Sequence, residues 1–256
     1  MLLTIDIGNT QVVAGLWKDE ELVLHWRLSS TIERTEDETW VLMHAICRTR
    51  GFDLEETTGV IMSSVVPNRT FILEKMAEKY LSCPYTLVNS DLDLGIRIDY
   101  HSPSDVGSDR LCNAVAGYTL YKSPLLIVDF GTATSFDVIS GEGHYLGGVI
   151  APGIEMSSQL LHQRAARLPS ISLEFTEKII GNTTVRSMQS GLMWGTVEMI
   201  NGITCRIERE LDQVTTKIAT GGLAPVVVNE LDADFKLESH LTLQGLYFIH
   251  KRIHQR

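Results

Sequence analysis

Asp6-Ile7-Gly8-Asn9-Thr10 and Asp129-Phe130-Gly131-Thr132-Ala133 decide the reading of this chain. Each closes a short apolar run, Leu2 to Ile5 in one case and Leu125 to Val128 in the other, and each opens a turn. A buried strand that breaks at Gly and small polar residues and then resumes as an apolar run reads as a hairpin. The first resumes as Gln11-Val12-Val13-Ala14-Gly15-Leu16-Trp17, the second as Ser135 to Ser140. A further turn follows each, at Lys18 to Glu21 and at Gly141-Glu142-Gly143, leading into candidate third strands Leu22 to Leu28 and His144 to Ile150. Two segments sharing Asp, apolar, Gly and small polar residues in one order point to a duplicated domain whose hairpins face one cleft.

Outward from the hairpins the pattern alternates. Thr35 with Glu38 forms a capping box ahead of Trp40, Val41, Met43, His44, Ile46 and Cys47, a helical period that Gly51 stops. Val60-Ile61-Met62 reads as a strand, Phe71 to Tyr80 as a helix and Gly95 to Tyr100 as a strand. Later helical periods cover Ile154 to Arg167, Ser187 to Leu211 and Leu241 to His254, and Ile218-Ala219-Thr220 reads as a strand entering the Gly221-Gly222 turn. Three strands followed by alternation with helices is an α/β plan. The expected domains are residues 1–115 and 116–256, joined by the helix after Asp109.

Composition excludes several classes. The chain has 256 residues, with 22 Lys plus Arg against 32 Asp plus Glu, a net charge of −10. Nucleic acid is not expected as a partner, because phosphate backbones need a basic face. No apolar run approaches the roughly 20 residues of a membrane helix, and the first residues lack the basic flank of a signal peptide. The scattered Cys47, Cys83, Cys112 and Cys205 show no metal spacing and suit a reducing cytoplasm.

An Asp at a strand end beside a Gly turn sets a carboxylate next to exposed N–H groups, a combination that can hold a phosphate together with its cation. The bland alternative is that each Asp-x-Gly merely starts a hairpin. Thr220-Gly221-Gly222-Leu223-Ala224 could let an adenine lie against backbone or be a plain turn. No Gly-x-x-x-x-Gly-Lys-Ser/Thr loop, dinucleotide fingerprint or Gly-x-Ser-x-Gly elbow is present. Gly107-Ser108-Asp109-Arg110 admits two readings. Ser108 or Asp109 caps a helix, or Asp109 takes a hydroxyl proton while Arg110 binds an anionic substrate group.

Together these pieces resemble the type III pantothenate kinases, a family of the acetate and sugar kinase, heat-shock ATPase and actin superfamily. The resemblance also rests on His25-Trp26-Arg27, Thr35-Glu36-Asp37-Glu38, Ser63-Ser64-Val65-Val66-Pro67, Gly147 to Gly153 and Leu241-Thr242-Leu243-Gln244-Gly245-Leu246. It implies two duplicated ribonuclease-H-like domains of the actin-like ATPase type, each a mixed sheet flanked by helices, with a cleft between them. It implies that pantothenate is phosphorylated to 4'-phosphopantothenate, the first step of coenzyme A biosynthesis, using ATP with Mg2+ and a monovalent cation, K+ or NH4+.

The residues follow from the same resemblance. ATP is held by Asp6, Ile7, Gly8, Asn9, Thr10, Gln11, Val12 and Val13 and by Thr132, and the monovalent cation by Asp129. Asp109 is the proton acceptor, and Tyr100, Gly107, Ser108, Asp109, Arg110 and Thr184 bind pantothenate. A homodimer is implied, with the active site completed by the neighbouring subunit. Ser108 stands where the family usually has Ala, and Gly181-Asn182-Thr183-Thr184 replaces Gly-Lys-Asn-Thr. Two alternatives accompany this reading: a nucleotide-binding regulatory or accessory protein without turnover, and a phosphatase of the same superfamily.

Overall fold

In the computed structural model, which describes residues 1–254, the N-terminal apolar run forms strand β1 (Leu2–Ile7). It pairs antiparallel with β2 (Gln11–Lys18), which pairs antiparallel with β3 (Glu21–Ser29). On its other side β1 runs parallel to β4 (Gly59–Ser64), and β4 runs parallel to β5 (Tyr85–Leu87). The order is β3-β2-β1-β4-β5. Helix α1 (Glu36–Thr49) precedes β4, and α2 (Pro67–Tyr80) supplies the crossover that the parallel pair β4 and β5 requires. The predicted capping box starts α1: Thr35 Oγ1 accepts the Glu38 N–H at 3.2 Å, and the Glu38 carboxylate accepts the Thr35 N–H at 2.8 Å.

The two faces of this sheet are covered differently. Leu3, Ile5, Ile7, Val12 and Ala14 point to one face and share a core with Trp40 and Met43 of α1 and Leu73 and Met76 of α2. The period of two sends Thr4, Asp6 and Trp17 to the other face. Helix α7 (Leu241–His254) packs there, with Tyr247 stacked on Trp17 at 4.4 Å between ring centroids, while Trp17 Nε1 donates to Thr4 Oγ1 at 3.0 Å.

Five strands of the second sheet, which has six, repeat the plan. Strands β7 (Leu125–Phe130), β8 (Ala133–Ile139) and β9 (His144–Pro152) form the antiparallel run, and β10 (Thr216–Thr220) and β11 (Phe235–Leu237) continue parallel from β7. Their order β9-β8-β7-β10-β11 reproduces that of the first sheet, so the duplication read from the two Asp-x-Gly segments extends to the topology. Helices α4 (Ile154–Arg164) and α5 (Thr184–Leu211) carry the matching core, with Met193, Val197 and Ile200 against Leu126, Val128 and Phe130. The copies differ at the turn. The first hairpin closes with Ile7 opposite Val12 and the second with Phe130 opposite Thr134, a connection one residue shorter.

The chain divides into two compact units, Met1–Leu120 with the segment from Leu241 onward, and Tyr121–His240. The expected boundary between 115 and 116 therefore moves to the end of α3 (Ser108–Tyr121), and the last helix leaves the second unit for the first. The reason is non-local packing: Gly245 of α7 lies so close to the Cys112 carbonyl of α3 that a Cβ there would overlap it.

Element ends shift for local reasons. Helix α5 begins at Thr184 because the Thr183 hydroxyl accepts the Arg186 N–H at 3.2 Å, and α4 stops at Arg164, where Ala165 turns to accept from Leu168. The strand expected over Gly95 to Tyr100 contracts to β6 (Arg97–Ile98), since Gly95 has a φ of +76°. A short helix α6 (Ala224–Val227) follows the Gly221-Gly222 turn.

Candidate active site

Asp6 occupies the last but one position of β1, opposite Val13 on β2 and Ser63 on β4. Its neighbour Ile7 is fully buried in the core under α1 and α2, so the Asp6 carboxylate takes the opposite face. Cys112 of α3 reports what meets it there. Burial, with the negative charges of Asp6 and then Asp109, pushes the Cys112 thiol well above its ordinary pKa, and a hydrogen bond with Ser63 acts in the other sense. The charges of Asp6 and Asp109, far apart in sequence, are thus both felt at one buried thiol.

Helix α3 is held to the sheet by its first residue. Ser108 Oγ accepts the Ser64 N–H at 2.9 Å, donates to the Ser64 carbonyl at 3.1 Å and lies 3.0 Å from Ser63 Oγ. Of the two readings, a cap by Ser108 is not what forms: Ser108 is the first residue of the helix, and its hydroxyl ties it to β4. Asp109 Oδ1 folds back to accept the Arg110 N–H at 2.8 Å. A Cβ on Gly107 would come within 2.5 Å of that oxygen, so glycine is what leaves room for the carboxylate. Arg110 follows on the same turn, half-buried, and Tyr100 lies beyond β6 with more than a third of its surface exposed.

The first hairpin is a mixture of backbone and side-chain opportunities. Gly8 N–H donates to the Gln11 carbonyl at 3.0 Å, and the Thr10 carbonyl accepts the Ser30 N–H at 2.9 Å. Asn9, Thr10 and Gln11 are exposed, whereas Ile7 and Val12 turn into the core and can offer a ligand only their backbone.

The second unit builds the corresponding corner. Asp129 is paired with Ser135 on β8 and with Thr220 on β10, the same register that places Ser63 beside Asp6. After Thr220 the chain turns at Gly221, whose φ is +91°, and any Cβ there would collide with Asp129 Oδ1 and the Phe130 backbone. Leu223 N–H then donates to the Phe130 carbonyl at 3.4 Å, as Val65 N–H does to Ile7 at 3.2 Å in the first unit. Thr132 sits in the hairpin, its carbonyl accepting the Gly153 N–H at 3.2 Å. Thr184 is the exposed first residue of α5, beside the cap Thr183.

These donor sets suit hard cations. Asp6 with the Ser63 hydroxyl, and Asp129 with the Thr220 hydroxyl, offer side-chain oxygens, the donors that Mg2+ and alkali cations prefer. Reading the sequence alone gave Ser63, Thr220 and Gly221 no part in the cation corners. The signal available was the duplication itself, since aligning the two strands parallel to β1 and β7 sets Ser63 and Thr220 at equivalent positions.

A family model described as type III pantothenate kinase matches residues 2–206. The chain belongs to that family. Among solved structures it is similar to a chain described as a conserved Baf family transcriptional activator from Campylobacter jejuni, with 20% identity, a TM-score of 0.62, and 99% of this chain and 100% of that chain covered. It is also similar to one described as an N-acetylmannosamine kinase from Listeria monocytogenes (14%, 0.54, 98% and 99%) and to MreB 5 of Spiroplasma citri bound to AMPPNP (11%, 0.54, 99% and 97%). At such identities the likeness is one of fold, the actin-like ATPase fold with its two ribonuclease-H-like units. As a type III pantothenate kinase the protein is a phosphotransferase, and as a kinase it uses ATP with a divalent metal ion. No helix among the described residues is long and apolar enough to cross a membrane.

Proposed function

We propose that the protein transfers the γ-phosphoryl group of ATP to the terminal hydroxyl of pantothenate, giving 4'-phosphopantothenate and ADP at the first step of coenzyme A biosynthesis in the cytoplasm. The observation that carries the reading is the Ser108 tether, which fixes the residue before Asp109 to β4 at Ser63 and Ser64, with Ser63 opposite Asp6, in a chain of the type III pantothenate kinase family. The new bond forms between the pantothenate oxygen and phosphorus, the bond from phosphorus to the ADP oxygen breaks, and the hydroxyl proton passes to Asp109. Such a transfer asks for positioning and charge neutralisation more than covalent chemistry.

In this reading the segment Asp6 to Val13 and Thr132 hold ATP, and Mg2+ near Asp6 supplies neutralisation of phosphate charge when bound. Asp129, against which Gly221 packs without a side chain, holds a monovalent cation, K+ or NH4+. Arg110 pairs with the pantothenate carboxylate through its planar fork, and Tyr100, Gly107, Ser108 and Thr184 line the same substrate. The protein acts as a homodimer. Support comes from the second unit, which leaves Ile150, Leu160, Ile179 and Ile180 more than half exposed, at 64%, 55%, 64% and 84%.

The test is a coupled assay of ADP release with and without pantothenate, each with potassium and with a bulky organic cation at equal ionic strength. Release that depends on pantothenate and on potassium is expected. Equal release without pantothenate would replace the kinase reading by an ATPase or phosphatase one.

A further inference from the structure

Two arginines of the first unit sit at one pocket with no ion-pair partner among the described residues. Arg34, just ahead of α1, donates from Nη1 to the Ser29 carbonyl at 2.8 Å, and Arg69, in the first turn of α2, donates from Nε to the Ser30 carbonyl at 3.0 Å. These carbonyls are successive, so both guanidinium groups gather at the end of β3. Both line a small cleft open to solvent, whose apolar floor includes Val12, Leu28 and Leu73. Both arginines are half-buried, and neither is ion-paired with a described residue. Each uses one of its five N–H donors on the backbone.

The end of α2 sharpens the point. A helix N-terminus favours negative charge, and α1 obeys with Glu36, Asp37 and Glu38 in its first turn. Helix α2 has no acidic residue there, its N-cap Val66 offers no side-chain acceptor, and the charged residue in the first turn is the cation Arg69. In a chain with 32 acidic and 22 basic residues, composition does not account for a cation at the acid-free start of α2 with a second arginine lining the same cleft.

We infer that this pocket is a second anion site, which binds a tetrahedral oxyanion, inorganic phosphate or a phosphomonoester, separately from the nucleotide. The face of the sheet separates the two. Val12 and Leu28, opposite one another across β2 and β3, belong to the side covered by α1 and α2, whereas Asp6 points to the other side. The Ser30 N–H that donates to the Thr10 carbonyl at 2.9 Å links the pocket rim to the hairpin, so occupancy stiffens the hairpin turn. That coupling to ATP rests on the proposed function; the anion site itself does not.

The experiment titrates the full chain with inorganic phosphate by calorimetry at constant ionic strength. It is done with the nucleotide site saturated by Mg2+ and a non-hydrolysable ATP analogue. Saturable binding is expected in the wild type, weakened about 10-fold or more in Arg69→Gln and in Arg34→Gln and absent in the double variant. Circular dichroism verifies folding, and either single variant carries the test if the other unfolds. Glycerol phosphate in a parallel titration names the source: tighter binding than phosphate indicates a phosphomonoester, weaker binding the free ion. Three outcomes overturn the site: no saturable binding with the analogue bound, equal binding in the double variant, or equal affinity for acetate. None of them bears on whether ADP release depends on pantothenate, so the two readings fail separately.

Discussion

Ser108 reaches back from the first turn of α3 to engage both backbone polar groups of Ser64, accepting from its N–H at 2.9 Å and donating to its carbonyl at 3.1 Å. The hydroxyl thereby fixes the residue preceding Asp109 to the strand that runs beside Asp6. Ser108→Ala leaves the Ser64 N–H without this partner and is expected to cost about 1–2 kcal/mol of stability. The helix survives without the tether, so kcat should fall only a few-fold. Denaturant titration beside steady-state kinetics checks both, and a loss of kcat as large as that of an Asp109 variant would show that the hydroxyl does more than hold the helix.

Asp109 itself should separate from Arg110 in kinetics. Asp109→Asn preserves shape and the contact with the Arg110 N–H, and is expected to lower kcat by roughly 10²–10⁴-fold with an unchanged melting temperature. Arg110→Lys keeps the charge but loses the fork, and should raise the KM for pantothenate with kcat near normal. An active Asp109→Asn enzyme would remove Asp109 from the proton path.

Gly221→Ala meets two obstacles at once, a φ of +91° and the Asp129 carboxylate with the Phe130 backbone in the space of the new methyl. A destabilisation above about 1 kcal/mol is expected, together with weaker ATP binding. Gly222→Ala is the control, since no atom lies within 4 Å of a Cβ placed there and its φ is not in the left-handed region. Equal behaviour of the two variants in thermal unfolding and nucleotide titration would contradict the packing described for Gly221.

Stability should depend on pH through His250 of α7. Burial, with repulsion from His254 stacked on it at 4.1 Å, pushes its pKa down from 6.5 to about 4. Between those values the unfolded chain binds a proton that the folded chain does not, so stability falls as pH drops from 6.5 and stops falling near 4. His250→Gln should flatten this part of a melting-temperature profile. An identical profile in the variant would assign the acid sensitivity elsewhere.

The sequence disclosed the hairpins because strand periodicity, glycine and a repeated Asp all pointed one way. It disclosed the Thr35 and Glu38 capping box for a similar reason, since both partners lie within one turn. Strands β5 and β11 escaped notice: Tyr85-Thr86-Leu87 and Phe235-Lys236-Leu237 are too short for a period to show. The pairing of Asp6 with Ser63 and of Asp129 with Thr220 is a register between distant strands, which no local pattern encodes. Nor does amphipathicity say which sheet a helix will cover, and α7 went to the first.

That return of α7 has a bearing on synthesis at the ribosome. The second unit's residues, Tyr121–His240, are all present before Leu241 is made, whereas the sheet begun at Leu2 keeps part of one face, beside α3, uncovered until α7 follows. The half of the molecule translated first is thus the last to be completed. In the interval its uncovered strands offer apolar surface to other nascent chains, so a stop codon shortly after His240 would leave a finished second half attached to an adhesive, unfinished first one.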